Sequence, residues 1–337
     1  MIQQALAKAV NRVDLSRQEA AETLHHIMSG EVPPVLTAAL LTALHMKGES
    51  VEEIVGLAST MRAMATPIPA QRRPLIDTCG TGGSGTGHFN VSTVCAFVVA
   101  GAGGAVAKHG NRSATSKSGS ADVLEALGVN IEAAPAVVAR CIDEIGVGFL
   151  FARSLHTAMK HVGSIRAELK IRTVFNVLGP LTNPAGATRQ VLGVFAPQWA
   201  DPLAQVLASL GSEHAMVVCG ADILDEISLT GSTHVAEVIT GTVKCREIVP
   251  EDFGLARCSM EALLGGDPQA NAAIARAILS GETGPKRDLV VLNSAAALVA
   301  GGLAQDIPEG MAQAAESIDS CAAQKKLEAL IRMSHDS

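Results

Sequence analysis

Residues 108–120 read Lys-His-Gly-Asn-Arg-Ser-Ala-Thr-Ser-Lys-Ser-Gly-Ser: three cations, five hydroxyls, an Asn and a His in thirteen positions, with no large apolar side chain. Such a stretch cannot form a core, because buried polar groups need partners and buried charges need more than that. Its chemistry suits a polyanion held jointly by fixed charge, hydroxyls and backbone N–H groups. Lys108, Arg112 and Lys117 alone could be a solvated basic face. Interleaved with Asn111, Ser113, Thr115, Ser116, Ser118 and Ser120, between an apolar strand and an apolar helix, they read as a binding loop. A second Gly-rich stretch, Gly80-Thr-Gly-Gly-Ser-Gly-Thr-Gly87, lies upstream. It is not a P-loop, since no Gly-Lys-Ser/Thr follows, but its glycines let backbone N–H groups approach a phosphate closely. Two such loops in one domain imply a phosphate-rich small molecule.

Other residues could complete a site. Asn90-Val-Ser-Thr93 stands where a helix should begin, so its polar side chains could cap that helix, contact a phosphate or metal, or do both. Asp225-Glu226 follows a predicted strand. Adjacent carboxylates are usually surface charge, yet beside a phosphate site they fit Mg2+, which takes oxygen ligands and shares phosphates. Arg166, Lys170 and Arg172 could be a helix surface or could line a site for an acidic substrate, Arg being the planar partner of a carboxylate. No His-Glu-x-x-His, Gly-x-Ser-x-Gly or Cys/His nucleophile signature occurs.

Composition narrows the class. A net charge of −7 argues against a duplex-binding surface, and 2% aromatics against a single-strand platform that stacks bases. Attraction for an anion must therefore be local. The seven cysteines are scattered and lack Cys-x-x-Cys spacing, as expected of reduced thiols in a cytoplasmic protein. The first residues start an amphipathic stretch, not a secretory leader. The most apolar runs, near 94–107 and 289–304, are short and broken by Gly or Asn, so no membrane span is expected.

The elements that must position these residues are legible from their punctuation. Capping boxes at Ser16–Glu19 and Ser50–Glu53, a Pro33-Pro34 start and stops near Gly30 and Gly48 predict an all-helical unit over 1–66. A Pro-rich connector follows, and then strand, loop and helix alternate. Strands are expected at 75–77, 105–107, 147–151, 190–195, 215–219, 235–239 and 242–248. Helices are expected at 91–102, 121–127, 135–145, 200–210, 259–264, 268–280, 286–303 and 308–333. The fold class is α/β, a small helical domain on a larger unit with a mostly parallel sheet over 74–337.

Taken together, the motifs Gly80-Thr-Gly-Gly83, Asn90-Val-Ser-Thr93, Lys108-His-Gly-Asn-Arg112, Ser118-Gly-Ser-Ala-Asp122, Arg172-Thr-Val-Phe-Asn-Val-Leu-Gly-Pro-Leu-Thr-Asn-Pro184 and Leu224-Asp-Glu226 resemble those of the anthranilate phosphoribosyltransferases, in the nucleoside phosphorylase-like phosphoribosyltransferase family. The resemblance spans nearly the whole chain. It implies transfer of a phosphoribosyl group from phosphoribosyl pyrophosphate (PRPP) to anthranilate in tryptophan biosynthesis, with Mg2+, two ions in all. Carried onto this sequence, it gives PRPP to Gly80, Gly83, Ser84, His88, Asn90, Val91, Ser92, Thr93, Lys108, Asn111, Ser116, Ser118, Gly119 and Ser120. It gives anthranilate to Gly80, His109, Asn111 and Arg166, and metal to Ser92, Asp225 and Glu226. It further implies a cytoplasmic homodimer formed through the helical domain, joined there by helices from about 160–185, with no nucleic-acid or membrane partner.

Such chemistry needs no protein nucleophile. Pyrophosphate leaves from C1 of the ribose, so the task is to stabilise the leaving charge and hold the amine behind C1. The chain departs from the family pattern at Ser84, usually Asp; at His88, usually Thr; at Thr157 and Ser164, usually Pro; and at Lys170, usually Gly. Ser84 and His88 touch the PRPP side, Ser164 and Lys170 the acceptor side. The alternatives are a related transferase or phosphorylase with another aromatic acceptor, and a non-catalytic nucleic-acid-binding relative.

Overall fold

The computed structural model describes residues 1–113 and 117–336. Helices α1 (Ile2–Val10), α2 (Arg17–Met28), α3 (Pro34–Lys47) and α4 (Val51–Met64) form the N-terminal unit. Both expected capping boxes are formed: Ser16 and Ser50 accept from the N–H of Glu19 and Glu53, whose carboxylates accept from the N-cap N–H in return. Helix α2 packs on α4 and α1 on α3. Helix α9 (Lys160–Leu169), far along the chain, returns to pack on α2 and α3.

The larger unit runs β1 (Ile76–Gly80), α5 (Val91–Gly101), β2 (Val106–Gly110), α6 (Ser120–Leu127), α7 (Pro135–Arg140), β3 (Val147–Phe151), α8 (Ala152–Leu155), then α9, α10 (Phe175–Leu178) and β4 (Arg189–Gly193). It continues with α11 (Ala200–Ser209), β5 (His214–Gly220), β6 (Thr233–Ile239), β7 (Thr242–Ile248), α12 (Pro268–Leu279), α13 (Pro285–Gly301), α14 (Ile307–Asp319) and α15 (Ala322–Met333). Among the described residues seven strands form one sheet in the order β3-β2-β1-β4-β5-β6-β7. All pairs from β3 to β5 are parallel, and β6 and β7 add an antiparallel margin. Strand alternation divides the core. Met216 and Val218 of β5 face the layer of α5, α13, α14 and α15, whereas Ala215, Val217 and Cys219 face α11 and the helical unit. Among the described residues no helix is long and apolar enough to cross a membrane.

Five expectations are corrected. The helix at 308–333 is two helices, α14 and α15, broken where Cys321 takes a left-handed φ of 60°. Residues 259–264 make only a 3-10 turn, Met260–Leu263, and 135–145 is α7 followed by a wider turn, Cys141–Ile145. Strands β1 and β2 extend further than expected, so Gly80, Lys108, His109 and Gly110 are strand residues, not loop residues. Pairing with β4 and β3 supplies hydrogen-bond partners that outweigh the polar composition.

Candidate active site

The strand order reverses direction between β1 and β4, and in open α/β sheets ligands bind where the order switches, beyond the carboxyl ends of the strands. These two strands end on a registered pair, Gly80 opposite Gly193. A Cβ on Gly80 would lie 2.6 Å from Asp225 Oδ2, and one on Gly193 would lie 1.7 Å from the Asp225 carbonyl oxygen. The two glycines are therefore the floor on which Asp225 stands.

Asp225 and Glu226 reach this floor from the segment after β5, and both are buried. Behind them the α13 residue Asn293 accepts from the Ile227 N–H at 2.8 Å and donates to the Ile227 carbonyl at 2.9 Å. In front, the Gly82 N–H donates to Asp225 Oδ2 at 3.1 Å, and the Ser92 N–H, at the start of α5, donates to Glu226 Oε1 at 3.2 Å. Burial, and then the neighbouring Asp225, push the Glu226 carboxyl up to about 8. Among the described residues Asp225 Oδ1 accepts no hydrogen bond, and it lies 3.6 Å from His88 Nε2. Two buried carboxylates with an oxygen lacking a donor, beside the Ser92 hydroxyl, are a hard, all-oxygen donor set that fits Mg2+.

Lys108 is buried and donates to the Thr78 carbonyl and, at 3.3 Å, to Ser92 Oγ. Desolvation lowers its pKa, while Asp77 and Glu226 oppose that change. It underpins β1 and α5 as the buried cation of the site. Adjacent His109 points to the other face of the sheet. The His109 backbone N–H donates to Asp77 Oδ1 at 3.1 Å, and Asp77 Oδ2 accepts from Asn183 at 2.8 Å. Burial pushes Asp77 up to about 6. The rings of His109 and His156 lie 5.2 Å apart, and burial pushes them down to about 3 and about 4, so both are neutral.

The second polar loop meets the start of α5 through one side chain. Asn90 at the start of α5 does not cap its helix. Its Nδ2 donates to the Ser118 carbonyl at 3.3 Å, and its Oδ1 accepts from Asn271 of α12 at 2.9 Å. Gly119 caps α6, its N–H donating to Asp122 at 2.8 Å, and Ser120 Oγ accepts from the Asn111 N–H at 3.2 Å. The starts of α5, with Val91, Ser92 and Thr93, and of α6 thus converge. Gly83 has a φ of 79° and turns the first loop, where Ser84 Oγ is 3.1 Å from Thr86 Oγ1 and Thr86 Oγ1 is 2.6 Å from His88 Nδ1. Ser116 lies outside the described residues.

Some sequence candidates fall elsewhere. Arg112 is turned onto α6, pairing with Asp122 and Glu125, and is no free cation for an anion. Arg166 on α9 stacks 5.4 Å over the Phe175 ring. Among the described residues it makes no ion pair and no hydrogen bond to His109 or Asn111. Arg172 donates to the Gly83 carbonyl at 2.6 Å while lying 4.0 Å over the Phe195 ring, so it touches the first loop. Lys170 occupies the left-handed C-cap of α9 at φ 51°, a conformation suited to Gly. Sequence reasoning missed Gly193, Asp77, Asn271 and Asn293. Only Gly193 carried a signal, a lone Gly inside an apolar strand run.

Residues 3–65 match the glycosyl transferase family's helical bundle domain, and residues 72–324 match its a/b domain. The chain is 51% identical over 350 residues to an anthranilate phosphoribosyltransferase of Geobacter sp. (strain M21), covering 100% of this chain and 99% of that one. It is 54% identical to that of Anaeromyxobacter sp. (strain K), covering 98% of both. The crystal structure of the Thermus thermophilus enzyme superposes with a TM-score of 0.94 at 48% identity, covering 98% of this chain and 99% of that one. The Saccharomyces cerevisiae enzyme in complex with PRPP and Mg superposes at 0.90 with 30% identity, covering 99% and 97%.

Proposed function

The chain belongs to the glycosyl transferase family that joins a helical bundle to an a/b domain, and within it to the anthranilate phosphoribosyltransferase family; from this premise we propose how its residues act. The reaction moves the phosphoribosyl group of PRPP to the amine of anthranilate, releasing pyrophosphate, in tryptophan biosynthesis. The observation that carries this reading is the convergence of the buried Asp225–Glu226 pair with the first loop and the start of α5, at the point where the strand order switches.

Bound Mg2+ would neutralise charge on the departing pyrophosphate. Asp225, Glu226 and Ser92 would hold it, and we assign two ions. Gly80, Gly83, Ser84, His88, Asn90, Val91, Ser92 and Thr93, with Lys108, Asn111, Ser116, Ser118, Gly119 and Ser120 of the second segment, bind PRPP. The positive dipole ends of α5 and α6 lie toward its phosphates, while the N–H groups of Ser92 and Gly119 hold Glu226 and Asp122. Lys108 contributes fixed charge from beneath, holding Ser92 in place.

Anthranilate lies toward Gly80, His109, Asn111 and Arg166. The Arg166 guanidinium, half-buried and held by Phe175, receives the carboxylate. Neutral His109 and His156 give that side of the sheet an uncharged wall for the ring. An aromatic amine needs little activation, so orientation behind C1 does most of the catalytic work.

Two units carry these roles: residues 1–66, joined by helices from about 160–185, and residues 74–337. The protein acts in the cytoplasm as a homodimer formed through the helical unit. The test is loss of anthranilate fluorescence on mixing with PRPP and Mg2+. A decay that requires both is expected, and a flat trace from folded protein overturns the assignment.

A further inference from the structure

At the antiparallel margin of the sheet, β6 and β7 set His234 opposite Glu247 and Ala236 opposite Cys245. Alternation puts all four side chains on one face. Helix α11 covers that face, and Asp201 in its first turn comes down onto it. Asp201 Oδ1 lies 2.7 Å from His234 Nε2 and 3.3 Å from Cys245 Sγ. One ligand atom from each residue falls within 4.8 Å of the others. The second ring nitrogen of His234, Nδ1, is 2.9 Å from Glu247 Oε1. A carboxylate on Nδ1 leaves Nε2 as the ligating nitrogen and fixes the ring, the arrangement that orients metal-bound imidazoles.

We propose that Asp201, His234 and Cys245 form a metal site for an ion of the Zn2+ class, with Glu247 orienting the imidazole. Helix α11 and the two strands of the β6–β7 hairpin supply an oxygen, a nitrogen and a sulfur. That set selects a borderline-soft ion over Mg2+, which takes oxygen alone. Partial exposure of His234 leaves the fourth tetrahedral position to water. The ion replaces the proton between Asp201 and His234 and the thiol proton of Cys245. One imidazole and two anionic ligands then balance its charge. The site staples α11 to β6 and β7, and it is chemically distinct from the all-oxygen pair at Asp225 and Glu226.

The experiment titrates metal-stripped full-length protein with Co2+ and then Zn2+, reading visible and near-ultraviolet absorption. One equivalent of Co2+ should give tetrahedral d–d bands with a thiolate-to-cobalt band, bleached by Zn2+ but not by excess Mg2+. Cys245→Ser should abolish the thiolate band, and Glu247→Gln should weaken binding about tenfold or more. Anthranilate turnover with Mg2+ should be unchanged in both variants. No thiolate band, or one undiminished in Cys245→Ser, overturns the proposal and leaves an ion-paired surface cluster.

Discussion

Asp225 rests its backbone on Gly193. A Cβ there would meet the Asp225 carbonyl oxygen at 1.7 Å, a separation no side chain can share. Gly193 is also the registered partner of Gly80, whose own missing Cβ leaves room for the Asp225 carboxylate. The acidic pair is placed from below by two absent side chains and from behind by Asn293.

Gly193→Ala should therefore displace Asp225 rather than merely crowd it. A loss of about 1–3 kcal/mol is expected from overpacking. The half-saturating Mg2+ concentration should rise more than either substrate KM. Denaturant melts and a Mg2+ titration of initial rates check both.

Arg166→Ala removes the guanidinium assigned to the acceptor carboxylate. A charge-assisted hydrogen bond contributes about 1.5–3 kcal/mol, so the anthranilate KM should rise roughly 10- to 100-fold. The PRPP KM should barely move. Equal rises in both would place Arg166 outside the acceptor site.

Ser84 begins a polar chain through Thr86 and His88 that ends beside Asp225. Ser84→Asp adds a carboxylate at its outer end. The Mg2+ concentration for half-maximal rate should fall by about fivefold, the effect of an added interaction near 1 kcal/mol. Inhibition by excess PRPP or metal should change with it. Superimposable curves for the two proteins would dismiss the role.

Stability should depend on the buried histidines. His109 and His156 are pushed down to about 3 and about 4 by burial, so below their ordinary pKa of 6.5 the unfolded chain takes up protons that the fold refuses. Their contribution is complete above 6.5 and is lost as pH falls toward those values, by up to about 1.4 kcal/mol per pH unit for each. Asp77, pushed up to about 6 from its ordinary 3.8, acts in the opposite sense, its contribution being lost as pH rises through 6. His156→Gln should flatten the acid limb of a stability–pH curve measured by chemical denaturation.

The parts of the fold set by local rules were legible in the chain. Ser16–Glu19 and Ser50–Glu53 cap helices by contacts three residues apart, so the helical unit could be read from one dimension. Alternating strands and helices likewise gave the parallel sheet. The acidic pair and both polar loops stood out by composition, and the structure brings them together. What escaped depends on neighbours distant in sequence. Strand pairing drew Lys108 and His109 out of the loop, Asp122 and Glu125 took Arg112, and Asn271 reached Asn90 from α12. Gly193 showed as a lone Gly in an apolar strand run, but its role is defined only by Asp225 above it.

Arg172 gives the site a thermodynamic property. Its guanidinium joins the segment just beyond α9, which carries Arg166, to the carbonyl of Gly83 in the first loop. Whatever factor PRPP adds to anthranilate affinity by ordering that loop through Arg172, anthranilate must return to PRPP in full. The two half-sites therefore share one coupling free energy, and its sign sets whether each substrate recruits or repels the other.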